Sequence, residues 1–233
     1  MGIPHARSGL TVLDFGPGWL GERITLLVPL LLSLSVHEWA HAWCAWRLGD
    51  DTAARLGRLT LNPLEHIDPL GTLLLPLLGV PFGWAKPVPI EPLHFHRGVS
   101  LRTGVALTAA AGPVSNLCMA ALAAAGLAAL AATIPGALVG GGALPRLLEL
   151  LVLLNVLLAI FNLIPIPPLD GSRIADAAMP EALRPAWLAL SSLGPAGLIV
   201  VILVPALCGV PLFAWPIERV QQSLAYLIAA VSG

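Results

Sequence analysis

The sequence predicts an all-α polytopic membrane protein with about four to five transmembrane helices and a re-entrant or extended segment around residues 69–92. Hydrophobic residues make up 57% of the chain and charged residues only 11%, whereas soluble domains carry about 25% charged residues. Several uncharged apolar stretches also reach the ~20 residues that a helix needs to cross the hydrocarbon. The net charge of −1 gives no indication of the basic surface that binds nucleic acid. We therefore expect the lipid bilayer, and not nucleic acid, as the surroundings of this chain.

Four segments are long and apolar enough to cross the membrane. They are span A (about 22–46), span C (103–131), span D (147–169) and span E (188–213). The predicted organisation is an unassigned N-terminal segment 1–21, a membrane core 22–215 and a tail 216–233, with no appended soluble domain. The tail carries Glu218 and Arg219 before a short apolar stretch, which fits either an interfacial helix or a weak extra span.

Segment B, residues 69–92, differs from these spans. Its apolar core, 70–80, is short and is followed by Pro81 and Gly83, which is typical of a re-entrant or interfacial segment. Basic residues concentrate in the loops 47–67, 83–102 and 170–187. The positive-inside rule places these loops in the cytoplasm.

The sequence His37-Glu38-Trp39-Ala40-His41 lies within span A. On a helix, this spacing puts two imidazoles on one face, one turn apart, which is a zinc-binding arrangement. The glutamate between them can then act as a base on water at the metal. A hydrolytic site in an apolar segment indicates a peptide-cleaving enzyme of the bilayer.

Asp170, at the end of span D, is the best candidate for the third metal ligand. The alternative role is a turn aspartate at the membrane interface. If segment B dips and returns, Asp170 and the histidines share the cytoplasmic side. If it crosses, they lie ~20–30 Å apart. The metal hypothesis therefore requires segment B to return.

Asn116 follows Gly112-Pro113 within span C. We expect the glycine and proline to free backbone groups in the helix, and Asn116 to donate to a substrate carbonyl or its oxyanion. The alternative is an interhelical hydrogen bond, worth about 0.6 kcal/mol. That is the default role for Asn155, whereas Asn162 is close enough in sequence to Asp170 to help shape the site.

The stretch Lys86-Pro-Val88-Pro-Ile90 cannot be helical, because two prolines alternate in it. If it is extended, one edge loses its donors while the amides of Lys86, Val88 and Ile90 remain on the other. This edge would bind an unwound substrate by strand addition. A rigid interfacial loop is an equally good interpretation.

These motifs together resemble the site-2 protease family of intramembrane zinc metalloproteases, in its compact bacterial subgroup without PDZ or CBS domains. The resemblance runs from about residue 33 to 175, and it rests on HEWAH, GRLTLNP (57–63), HIDPLGT (66–72), FGWAKPVP (82–89), AGPVSN (111–116) and FNLIPIPPLDG (161–171). It implies one zinc ion per chain held by His37, His41 and Asp170, Glu38 as general base, and Asn116 assisting at the carbonyl. It also implies a transmembrane protein substrate and a bacterial inner-membrane location, with the site toward the cytoplasm.

The predicted activity is hydrolysis of peptide bonds in or near transmembrane segments, by a water molecule that zinc activates and Glu38 deprotonates. Two other functions are compatible with a polytopic membrane protein that carries these residues. One is a catalytically silent scaffold that binds transmembrane segments, against which the intact HEWAH sequence argues. The other is a metal transporter, but the chain shows no repeated halves with matching broken helices. The oligomeric state is not predicted.

Overall fold

The computed structural model describes residues 19–78, 83–96, 98–134, 136, 138, 142–210 and 214–232, and all regular structure in these residues is helical. The α-helices in chain order are α1 (Trp19–Leu48), α2 (Thr52–Arg55), α3 (Leu75–Leu77), α4 (Leu101–Thr133), α5 (Ala143–Asn162), α6 (Asp170–Ala178), α7 (Arg184–Ser191), α8 (Pro195–Leu207) and α9 (Ala214–Ser232). Most of the unassigned N-terminal segment 1–21 lies outside the described residues.

Within the described residues, three helices are long and apolar enough to cross a membrane: Arg23–Leu48 of α1, α4 and α5. They correspond to the predicted spans A, C and D, and they confirm the all-α membrane fold class. Span E differs from the prediction, because it divides into α7 and α8 on either side of residues 192–194. Pro195 begins α8, and a residue before proline is disfavoured in the helical conformation.

Helix α5 is shorter than span D. It ends at Asn162, and the chain continues without regular helix through Pro165, Pro167 and Pro168, which lack the amide hydrogens that a helix needs. Asp170 is consequently the first residue of α6 and not the end of a span. Gly171 lies against the end of α5, where a Cβ atom would come within 2.5 Å of the Ile164 carbonyl oxygen.

Segment B leaves the helical bundle and returns to its starting point. The Lys86 amide donates to the His66 carbonyl oxygen at 2.9 Å, and the Thr72 hydroxyl donates to the Trp84 carbonyl oxygen at 2.7 Å. A π-helical turn, Pro69–Leu74, leads into α3 on the outgoing arm, and residues 83–91 form the returning arm without helix. The joined arms agree with the predicted re-entrant course, and residues 79–82 between them lie outside the described residues.

The returning arm is attached to the end of α1 through Asp50, which is 1% exposed. Its carboxylate accepts hydrogen bonds from the Glu91 amide at 2.7 Å and the Thr52 amide at 3.0 Å, and it lies 3.1 Å from His94 Nδ1. Burial tends to raise the pKa of Asp50, but hydrogen bonds from Thr52, Glu91 and His94 outweigh it, so the pKa lies below its usual value.

Helix α4 is central, since it packs against α1, α5, α6 and α9. Alanines at positions 120 and 123 let neighbouring backbones approach, and they form a buried cluster with Leu127, Leu151 and Val152. Val220 and Leu224 of α9 pack on this cluster. Helix α9, which forms most of the predicted tail, therefore packs along the bundle, although it is not among the candidate spans.

Candidate metal centre

His37, His41 and Asp170 meet at one point, although His41 and Asp170 are 129 positions apart in the sequence. The two Nε2 atoms are 3.0 Å apart, and each lies 3.2 Å from Asp170 Oδ2. The histidines come from successive turns of α1 and the aspartate from the first residue of α6. This juxtaposition is the one that the sequence predicted.

The group is nearly closed to solvent. His37 is 5% exposed and His41 7%, while the Asp170 side chain is 14% exposed. Burial favours the neutral form of Asp170, but hydrogen bonds and charge from the two imidazoles outweigh it and hold the pKa of Asp170 well below its usual range. The carboxylate therefore stays ionised and available as a ligand across physiological pH.

Hydrogen bonds behind the imidazoles determine which nitrogens face the centre. His41 Nδ1 donates to the Thr108 carbonyl oxygen at 2.7 Å, an atom that only accepts. His37 Nδ1 lies 2.6 Å from the side-chain oxygen of Asn116. With both Nδ1 atoms protonated, each neutral imidazole presents its Nε2 lone pair beside the carboxylate oxygen, a set of donors that suits a metal cation.

The donor set fits zinc. Two ligand atoms about 2.0–2.1 Å from a tetrahedral zinc ion lie about 3.3 Å apart, close to the 3.0–3.2 Å separations here. Asp170 Oδ2 is buried without another hydrogen-bond partner, which a metal ion would supply. Two histidines and one carboxylate form a typical catalytic zinc set that leaves a position open for water.

Gly112 lies against the Nε2–Cε1 edge of His41 and against Cε1 of His37. A Cβ atom there would come 2.5 Å from His37 Cε1 and 2.6 Å from His41 Cε1. We expected Gly112 and Pro113 to free backbone groups within the helix; α4 continues through both residues, and Pro113 has no amide hydrogen to donate there. The glycine also provides the space in which the two histidines stand against α4.

Glu38 lies beside the cluster and is 9% exposed. Its Oε2 accepts a hydrogen bond from the Val88 amide at 2.8 Å. The backbone around Val88 is held in turn by the buried side chain of Arg58, which donates to the carbonyl oxygens of Lys86 at 2.7 Å and Pro87 at 3.4 Å. The returning arm of segment B thus fixes one oxygen of the carboxylate.

This arrangement changes the expectation for the 86–90 edge. The Lys86 and Val88 amides, two of the three donors predicted to bind substrate, are occupied by His66 and Glu38. Val88 is also buried against Ala42 and Ala53. Strand addition through this edge would first have to break both hydrogen bonds, so the geometry favours the rigid-loop interpretation.

Asn116 is fully buried next to His37. We expected its amide group to donate to a substrate carbonyl, but its nitrogen donates to Asn155 Oδ1 at 2.7 Å and lies 3.4 Å from the Ser33 carbonyl oxygen. Asn116 therefore contacts a metal-ligating candidate and has its donors directed into the bundle. Asn162 donates to the Leu158 carbonyl oxygen of its own helix at 3.0 Å.

Three contributors to the site were not foreseen from the sequence: Ser33, the Thr108 carbonyl group and Arg58. The HEWAH spacing defines one face of α1, so Ser33, four residues before His37, was detectable as a polar residue on that face. A backbone carbonyl group and a loop arginine carry no such signal, because their partners lie 67 and 28 residues away.

Known proteins resemble the chain over most of its length. The profile of peptidase family M50 matches residues 132–188. Two relatives are named as zinc metalloproteases. YwhC of Bacillus subtilis is 38% identical over 188 residues, covering 77% of this chain and 80% of YwhC. Rip2 of Mycobacterium tuberculosis is 33% identical, covering 76% of this chain and 68% of Rip2. No solved structure gives a significant match.

Apolar helices long enough to cross a membrane, with a buried His-His-Asp group between them and a glutamate beside it, define an intramembrane zinc metalloprotease. The chain belongs to peptidase family M50. The fold class, the zinc cofactor and the predicted activity are thereby confirmed, and the scaffold and transporter alternatives are not favoured.

Proposed function

We propose that this chain hydrolyses peptide bonds in or near transmembrane segments of other membrane proteins, at one zinc ion held by His37, His41 and Asp170. The observation that carries this assignment is the convergence of two Nε2 atoms and one carboxylate oxygen within 3.2 Å of one another. A bound zinc ion supplies a Lewis acid that polarises a carbonyl group and lowers the pKa of water to about 7.

The chain's own residues perform the proton transfers. Glu38, fixed through Oε2 by the Val88 amide, keeps its other oxygen free to take a proton from water. The same carboxyl group then delivers that proton to the leaving amide nitrogen. The low exposure of His37, Glu38 and His41 keeps the reacting groups away from bulk water and strengthens their electrostatic interactions.

We assign Asn116 to orienting His37 and not to contacting the substrate, on the basis of its hydrogen bonds. Substrate contacts at Lys86, Val88, Ile90 and Asn162 remain proposals, as does the core domain 22–215. The re-entrant course of segment B supports a site on the same side as the basic loops. We therefore propose a bacterial inner-membrane location with the site toward the cytoplasm.

The substitution Glu38→Gln tests the assignment. We expect it to abolish cleavage of a transmembrane reporter in proteoliposomes, because the amide cannot accept the proton, while zinc content stays at one ion per chain. Glu149→Gln is the matched control, since Glu149 pairs with Arg146 at the start of α5, and it should cleave normally. A chelator should stop the wild type and added zinc should restore it. Cleavage by the Glu38→Gln protein would rule out the proposed base.

A further inference from the structure

A chain of buried hydrogen bonds links three helices and ends on His37. It contains Ser33 of α1, Asn116 of α4 and Asn155 of α5, all of them fully buried. Asn155 Nδ2 donates to the Leu151 carbonyl oxygen and to Ser33 Oγ, both at 2.8 Å. Asn116 Nδ2 donates to Asn155 Oδ1 at 2.7 Å, and Asn116 Oδ1 lies 2.6 Å from His37 Nδ1.

Backbone carbonyl groups fix the direction of this chain, and the Ser33 carbonyl oxygen, 3.4 Å from Asn116 Nδ2, adds a longer contact in the same sense. The Leu151 carbonyl oxygen can only accept, so the nitrogen of the Asn155 amide group must face it. The Ser33 hydroxyl hydrogen is used on the Pro29 carbonyl oxygen at 2.6 Å, so Ser33 Oγ accepts the second hydrogen from Asn155. Asn155 Oδ1 is thereby directed at Asn116.

The orientation of the Asn155 side-chain amide determines that of Asn116. Because Asn155 presents an oxygen, Asn116 must present its nitrogen, and its own oxygen then faces His37. That oxygen requires a hydrogen on His37 Nδ1, and in the neutral ring Nε2 then keeps the lone pair that faces His41 and Asp170. A reversed Asn116 would instead favour the tautomer with a hydrogen on Nε2, and that nitrogen would then have no lone pair to offer a metal ion.

We infer that Asn155 is a positioning residue for the metal centre: through Asn116 it fixes His37 in the tautomer that presents Nε2 to the metal. The inference rests on the proposed function for the identity of the metal ligands, but the tautomer is a property of the metal-free protein. His41 needs no such relay, since the Thr108 carbonyl group fixes its tautomer directly. The role of Asn155 therefore concerns His37 alone.

The test is the tautomer of His37 in metal-free protein, labelled with ¹⁵N-histidine in detergent micelles. Two-bond ¹⁵N–¹H spectra distinguish a hydrogen on Nδ1 from one on Nε2, and His37→Gln assigns the signals. The wild type should show the Nδ1–H form. Asn155→Leu should convert His37 to a mixture and weaken zinc binding about 10- to 100-fold, as expected for loss of an outer partner.

Asn155→Asp is the rescuing variant. In either protonation state its carboxyl group presents an acceptor to Asn116, so the Nδ1–H form should remain and zinc affinity should stay within about threefold of the wild type. Ser35→Ala is the matched control: Ser35 is 2% exposed and donates to the Leu31 carbonyl oxygen at 2.6 Å, outside the chain of hydrogen bonds. It should change neither readout.

Asn116→Leu breaks the chain one step nearer to His37 and carries the same expectation if Asn155→Leu does not fold. The inference is overturned if His37 keeps the Nδ1–H form in the folded leucine variants. It is also overturned if Asn155→Asp loses that form as Asn155→Leu does. A wild type that shows the Nδ1–H form but binds no zinc would contradict the proposed function and leave the tautomer relay supported.

Discussion

The substitution Gly112→Ala should damage the metal centre through steric displacement alone. The added methyl group would lie 2.5 Å from His37 Cε1 and 2.6 Å from His41 Cε1. Carbon atoms pack at about 3.5–4.0 Å, so each imidazole would have to retreat by roughly 1 Å. Neither ring is free to do so, because each is held from behind at Nδ1.

The magnitude follows from the geometry that zinc demands. Ligand distances in a functional site vary by only about ±0.2 Å, so a displacement of roughly 1 Å removes at least one ligand from its position. Loss of an outer partner alone costs about 10- to 100-fold in metal affinity. We therefore expect zinc binding to weaken by more than about 100-fold, which is about 3 kcal/mol at 1.4 kcal/mol per tenfold.

Gly126→Ala is the matched control in the same helix. Its methyl group would meet Leu148 Cδ2 at 3.5 Å, an ordinary contact. Both alanines gain about 1 kcal/mol of helix propensity, so the two variants should be equally helical by circular dichroism. Zinc affinity is measured by competition with a chromophoric chelator in detergent. An affinity of Gly112→Ala within about threefold of both the wild type and Gly126→Ala would refute the steric argument.

Two further predictions concern the returning arm of segment B. Val88→Pro removes the amide that holds Glu38 and should lower reporter cleavage at least ~10-fold with zinc content unchanged. Val88→Ala, which keeps the amide, should stay active, and equal activity of the two variants would count against the contact. Asp50→Asn should lower stability by about 1–3 kcal/mol at pH 7, since a buried acceptor of the Glu91 amide is altered. The pKa of Asp50 is lower in the folded than in the unfolded protein. The contribution of its carboxylate to the free energy of unfolding is therefore present above about pH 4 and disappears as pH falls through the folded pKa. Thermal melts in detergent should therefore show the deficit shrinking in acid, whereas the exposed Asp51→Asn should change little, and a deficit that persists in acid would contradict the carboxylate's role.

Several features of the site were readable in the sequence because they depend on local spacing or on solvent. The separation of His37 and His41 by four residues fixes both on one face of any helix that contains them. The scarcity of charge requires a bilayer as surroundings. Asp170 was the best carboxylate candidate at the end of span D, and it carried the condition that segment B returns; the His66–Lys86 hydrogen bond agrees with that condition.

Other features could not be predicted from the local sequence. Span D was extended to 169 because prolines are apolar, whereas their missing amide hydrogens end α5 at Asn162. Span E was treated as continuous for the same reason. That Gly112 makes room for the two histidines depends on what packs against α4, and the spacing of residues along one helix does not contain that information.

The sequence by itself determined that this protein lies in a lipid bilayer, which face of α1 carries the metal ligands and which chemical type those ligands are. These features depend on composition and on the helical repeat. Only the tertiary structure decided which atoms of those residues face the metal. The orientation of Asn116 and the tautomer of His37 follow from carbonyl groups on other helices. A buried polar group on one helix can orient a group on another helix only where the two are in contact, and those contacts exist only once the bundle has assembled.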